Sequence, residues 1–195
     1  NMQATGIIAE YNPFHNGHLY HIQETKRLTQ QSVIVVMSGS FMQRGEPAVL
    51  SKWQRASCAV QGGADLVLEL PCVFTLRSAE FFAKGAVQLL AATGCVNTLA
   101  CGTEHPQSDF EAAASLACSA EARLRELLQN GLSYAQAWEK ILGAHTAFRT
   151  PNDILALEYT KALLQTAADI QPLYLQRTDE GYNSTSIGNS IASAS

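Results

Sequence analysis

Short apolar runs alternate along this chain with stretches whose apolar residues recur every three to four positions. The runs fall at residues 5–9, 32–37, 66–70, 98–100 and 173–176, and a helical pattern opens at Gly17 directly after the first. Apolar runs of this length, separated by helical patterns, predict parallel strands joined by crossover helices. The expected class is therefore α/β, a Rossmann-like parallel sheet with flanking helices. The pattern does not encode the order of the strands.

Several helix ends are marked by their own residues. Ser108 with Glu111 has capping-box spacing before a helix predicted over 112–129, which Gly131 is placed to end. Ser133 with Gln136 opens a shorter helix that Gly143 closes, and Thr150 followed by Pro151 is a cap and first-turn proline for a helix over 152–167. Ile154, Leu155, Leu157, Leu163 and Leu164 form the expected apolar face of that last helix. With no internal repeat and no linker, one α/β domain is expected over residues 3–180; the Ser/Ala/Gly/Asn-rich residues 181–195 begin a further or flexible C-terminal region.

Composition narrows the class. The chain has 195 residues, 47% hydrophobic and 15% charged, enough to bury a real core. It contains no run of about 18 apolar residues, so no membrane-spanning helix is expected and the cytoplasm is the expected location. Five scattered cysteines without a CxxC pair read as reduced thiols rather than a disulfide framework or zinc site. A net charge of −4 supplies no global field for nucleic acid, so any RNA contact must be local. Arg44, Lys52, Arg55, Arg77 and Lys84 are the cations close enough in sequence to make one.

The chemistry concentrates after the first run. Residues 6–10 read as a buried strand, Tyr11 to Phe14 as a turn, and Gly17 onward as a helix, so His15 and His18 flank a helix entrance. Such an entrance exposes unpaired N–H groups and about half a positive charge, which suits phosphate, and two imidazoles add directional donors. Gly17 allows close approach to the backbone and Pro13 fixes the loop before it. Donors placed there stabilise charge that grows on phosphoryl oxygens during transfer. An H-x-x-H metal pair lacks a nominated third ligand, so no protein-held metal is expected.

The segment GIIAEYNPFHNGHLYHI, residues 6–22, resembles the N-terminal motif of the tRNA(Met) cytidine acetate ligases, in the HIGH-motif nucleotidyltransferase superfamily. MSGSFMQRGEPAVLSKWQRA (37–56), GADLVLELP with CGTEHP (63–106) and PNDILALEY (151–159) are similar to later blocks of that family, and residues 191–195 resemble the start of its terminal Ser/Ala-rich element. The resemblance implies the HIGH-superfamily nucleotidyltransferase fold, with residues 1–180 as an ATP-binding domain. It also implies activation of acetate by ATP, with Mg²⁺, to acetyl-adenylate, followed by N4-acetylation of wobble cytidine C34 in elongator tRNA(Met). The ATP site it implies comprises Ile8, Ala9, Glu10, Tyr11, Asn12, Pro13, Phe14, His15, Asn16, Gly17, His18, Leu19, Tyr20 and His21, with Gly102 in a turn after a strand, Asn152 and Arg177. His15, His18 and Lys52 are the catalytic candidates. Lys52 and Arg55, spaced by three on a helix that Ser51 caps, share a predicted face that suits either the triphosphate or the tRNA backbone, and with Arg44 they are candidates for RNA contact. A small-molecule adenylyltransferase of the same superfamily and a non-catalytic ATP- or tRNA-binding module are the alternatives; much of the tRNA surface is expected beyond Ser195.

Overall fold

A computed structural model describes residues 3–143, 148, 150–166 and 169–177. Five strands form one sheet: β1 (Ala4–Ala9), β2 (Ser32–Ser38), β3 (Leu66–Leu70), β4 (Val96–Thr103) and β5 (Gln171–Gln176). The helices are α1 (Asn16–Thr29), α2 (Lys52–Gln61), α3 (Cys72–Thr75), α4 (Ala79–Ala92), α5 (Phe110–Ser119), α6 (Glu121–Gln129), α7 (Tyr134–Leu142) and α8 (Pro151–Thr166). Every strand pairing is parallel and the order is β3-β2-β1-β4-β5. The chain thus runs outward from β1 through β2 to β3, then returns to lay β4 on the other side of β1. That reversal opens a crevice beyond the carboxyl ends of β1 and β4, the position where open α/β sheets receive ligands.

Alternation within the strands divides the core. Ile7, Val33, Val35 and Met37 point to the side covered by α1 and α2, where they meet Ile22 and Ala59. Ile8, Ile34, Val36 and Leu99 point to the opposite side, against α4, α5 and α8. Gly6 is required by this second packing, since a Cβ there would lie 2.6 Å from Leu90 Cδ1 of α4.

The expected α/β class and all five strands are present, β4 being longer than its apolar run. Two helix readings are corrected. The stretch expected as one helix over 112–129 is broken at Ala120 into α5 and α6, and its cap is Asp109, whose side chain accepts from Ala112 N–H, rather than Ser108. Helix α8 does not present one apolar face: residues 156–163 are all buried, while Leu164 is half exposed. It is a central helix, packed between α4 and α5 and against β4. The Ser133/Gln136 box, Gly143 as C-cap and Pro151 at the first position of α8 are as expected. All five cysteines are free thiols. Among the described residues no helix is long and apolar enough to cross a membrane. Residues 181–195 lie outside the described residues.

Candidate functional site

Leaving β1, the chain turns at Tyr11, whose φ of 52° is unusual for a residue with a side chain, and enters α1 through His15. His15 is the N-cap: its Nδ1 accepts from Gly17 N–H at 3.1 Å. His18 completes a reciprocal cap, its Nδ1 accepting from His15 N–H at 3.3 Å. The two imidazoles stack with centroids 3.8 Å apart, and Tyr11 and Phe14 pack against the His18 ring from 4.8 and 5.8 Å. Each histidine therefore spends one ring nitrogen on the helix start, an arrangement usually made by Ser, Thr or Asp with Glu.

Burial in this cluster, reinforced by the nearby His15, Arg177 and His21, holds the His18 imidazolium well below the usual histidine range. At neutral pH the ring is therefore neutral. With Nδ1 accepting a backbone N–H, its proton is assigned to Nε2, which makes that atom a donor.

A pocket opens beside this helix start, lined by Gly17, His18, Tyr20 and His21 of α1, Gly102 of β4, and Leu175, Gln176 and Arg177 at the end of β5. Gly102 lies within β4 rather than in the turn expected from sequence. A Cβ on it would sit 3.5 Å from Arg177 Cγ and 3.7 Å from His21 Cε1, so glycine keeps the floor open between those two side chains.

Arg177 is fixed by its surroundings. Its N–H donates to Thr103 O at 2.9 Å, its Nη1 donates to Asn152 Oδ1 at 3.3 Å, and its Nε lies 3.7 Å from Glu104 Oε1. Asn152 in the first turn of α8 thus reaches the pocket rim through Arg177. Glu104 and Asp153 carry this part of the site but were not nominated from sequence. Asp153, fully buried, accepts from the Thr103 hydroxyl, from Glu104 N–H at 3.1 Å and pairs with His105 Nδ1 at 2.7 Å, tying the end of β4 to α8. The only signal for either residue was its place inside the CGTEHP and PNDILALEY blocks.

Within the nominated loop, Glu10 and Asn12 turn towards the segment after β2: Glu10 Oε1 accepts from Gln43 N–H at 2.6 Å, and Asn12 Oδ1 from Val49 N–H at 2.8 Å. Lys52 does not line the pocket; its ammonium pairs with Glu69 at 2.6 Å on the β3 side. Arg44 is exposed. Arg55 corrects an expectation. Although Ser51 caps α2 as predicted, Arg55 is fully buried, its guanidinium donating to the carbonyls of Glu10, Ser38, Gly39 and Leu50. The same helical face that carries Lys52 meets the strand ends at Arg55, and the carbonyls there hold its guanidinium inside, where no RNA can reach it.

Comparison with known proteins agrees with the α/β fold. The family described as HIGH Nucleotidyl Transferase matches residues 2–195. A tRNA(Met) cytidine acetate ligase from Leuconostoc mesenteroides is 48% identical over 199 residues, covering 100% of this chain and 50% of its own. One from Acetivibrio thermocellus is 43% identical, again over 100% of this chain and 50% of its own. The chain therefore spans about half the length of the curated relatives it matches. The crystal structure of apo Thermotoga maritima TmcAL superposes with a TM-score of 0.87 at 36% identity, covering 98% of this chain and 49% of that one. The same protein bound with alpha-thio ATP gives a TM-score of 0.81 at 37% identity, over 91% and 47%.

Proposed function

Because the chain belongs to the HIGH nucleotidyl transferase family, we propose that the pocket between α1, Gly102 and Arg177 binds ATP and uses it to activate acetate for transfer to the wobble cytidine of elongator tRNA(Met). The observation that carries this reading is the pairing, across one crevice at the strand-order reversal, of a helix N-terminus capped by two stacked histidines with the guanidinium of Arg177. The structural neighbour bound with alpha-thio ATP, and relatives that are tRNA(Met) cytidine acetate ligases, support it.

In this reading the phosphates lie at the start of α1, met by the His18 Nε2–H, His15 and Arg177, and adenosine lies over Gly102. A carboxylate oxygen of acetate attacks the α-phosphorus and the bond to the β-phosphate oxygen breaks, releasing pyrophosphate. The N4 amine of the cytidine then attacks the acyl carbon, loses a proton, and AMP leaves. The residues present stabilise charge and fix position, and no covalent enzyme intermediate is needed. Mg²⁺ on the phosphate oxygens would offset part of their charge. Arg44 and Lys52, on the β2 and β3 side of the same sheet edge, are the proposed approach for RNA. The proposed compartment is the cytoplasm.

The test is exchange of labelled pyrophosphate into ATP. It should require acetate and fall by about a hundredfold or more in His18→Ala, in line with loss of a charge-stabilising donor. Exchange that proceeds equally without acetate, or a dinucleotide product, would sink the substrate assignment.

A further inference from the structure

Glu104 is the first residue after β4, where the strand end meets the crevice, and its backbone is held on both sides: its N–H by Asp153 Oδ1 at 3.1 Å, its carbonyl by Gln176 Nε2 at 3.0 Å. From that fixed point its carboxylate reaches three groups. Oε2 accepts the Thr150 hydroxyl at 2.6 Å, Oε1 accepts Asn152 Nδ2 at 2.7 Å, and Oε1 lies 3.7 Å from Arg177 Nε. The amide of Asn152 has two ends, so committing Nδ2 to Glu104 turns Oδ1 towards Arg177 Nη1. Both side-chain contacts on Arg177 described above thus depend on Glu104, one directly and one through Asn152.

We propose that Glu104 is a positioning residue for the nucleotide, setting the orientation of Asn152 and Arg177 before ATP arrives; this rests on the pocket being the ATP site. Distances decide how it acts. The contacts to Thr150 and Asn152 are short hydrogen bonds, whereas 3.7 Å to Arg177 Nε, with both side chains partly exposed, is a screened ion pair of little strength. Reach rather than charge is therefore the property the site uses. Charge alone would work against the ligand, because a carboxylate near the phosphates repels them. An Arg side chain restrained beforehand loses less freedom when it meets a phosphate.

Two substitutions separate reach from charge. Glu104→Gln keeps the length and an acceptor oxygen for Asn152, while its amide N–H₂ faces the Thr150 hydroxyl, which turns to accept. Glu104→Asp keeps the charge but withdraws by one methylene. ATP titrated calorimetrically into the protein should bind Glu104→Gln within about threefold of wild type and Glu104→Asp about tenfold more weakly, the size of one lost oriented contact. In pyrophosphate exchange the Asp variant should raise the KM for ATP and leave kcat within about twofold, a split that general loss of structure does not give. Adding Asn152→Ala to Glu104→Asp should cost no more than Asn152→Ala alone, because Glu104 acts through Asn152. Wild-type affinity in Glu104→Asp, or equal weakness in Glu104→Gln, overturns the assignment. A wild-type protein that takes up no ATP removes the nucleotide reading and this inference together, an outcome distinct from unchanged affinity in the variants.

Discussion

His15 has two duties that different substitutions separate. Its Nδ1 caps α1 and its ring stacks on His18, and in the proposed function its imidazole also meets the phosphates. His15→Ala removes both, and the lost cap should cost about 1 kcal/mol of stability. His15→Asn, a good N-cap, should restore that stability in thermal or denaturant unfolding yet leave pyrophosphate exchange depressed. If Asn restores exchange as well, the imidazole contributes through the cap alone. At this scale the histidines' place at the helix entrance was legible in the sequence, because a strand–turn–helix pattern is local. Glu104 was not: its partners Thr150, Asn152 and Arg177 lie some 46 to 73 positions further along, and only the fold brings them to one rim. Arg55 misled for the same reason, since spacing of three on a helix specifies a face but not what that face meets.

For helix α2 the decisive contact is that same Arg55. Its guanidinium gathers carbonyls from the ends of β1 and β2 and from the loop before α2, and so locks the helix to the sheet edge that forms the crevice. Arg55→Met should cost about 3 kcal/mol in denaturant unfolding, because several buried carbonyls lose their donors together. An RNA-contact role predicts the opposite pattern, unchanged stability with weaker, less salt-dependent tRNA binding, and that result would restore the surface reading. Element boundaries were legible where a chemical stop exists, at Gly143 and Pro151. The break at Ala120 was not, since an Ala- and Leu-rich stretch without Gly or Pro carries no local instruction to stop, and packing of α6 against α7 decides it.

Across the whole molecule, periodicity specified strands and helices but not that β4 returns beside β1, and it misjudged α8. A surface helix shows one apolar stripe, whereas α8 is enclosed nearly all round and carries polar residues that are satisfied inside. Glu158 and Lys161, both buried, pair at 3.0 Å; the Tyr134 hydroxyl of α7 donates to Glu158, and Lys161 Nζ stands 5.0 Å from the Trp138 ring. This network joins α7 to the central helix. Burial raises the Glu158 carboxyl above the usual range, with Glu80 adding slightly, and Lys161 opposes that rise. Lys161→Met should therefore push it higher and cost about 3 kcal/mol at pH 8, where an unpaired carboxylate is buried. A carboxyl raised by folding costs nothing below its unfolded value and its full penalty above its folded one, so the deficit should shrink as pH falls towards about 4.5. Adding Glu158→Gln removes the charge while leaving Tyr134 an acceptor, and should restore stability at pH 8 and abolish the pH dependence of the deficit. Unfolding curves at pH 5 and pH 8 for the two variants check this. A deficit that does not change with pH would mean that Lys161 contributes packing against Trp138 rather than charge.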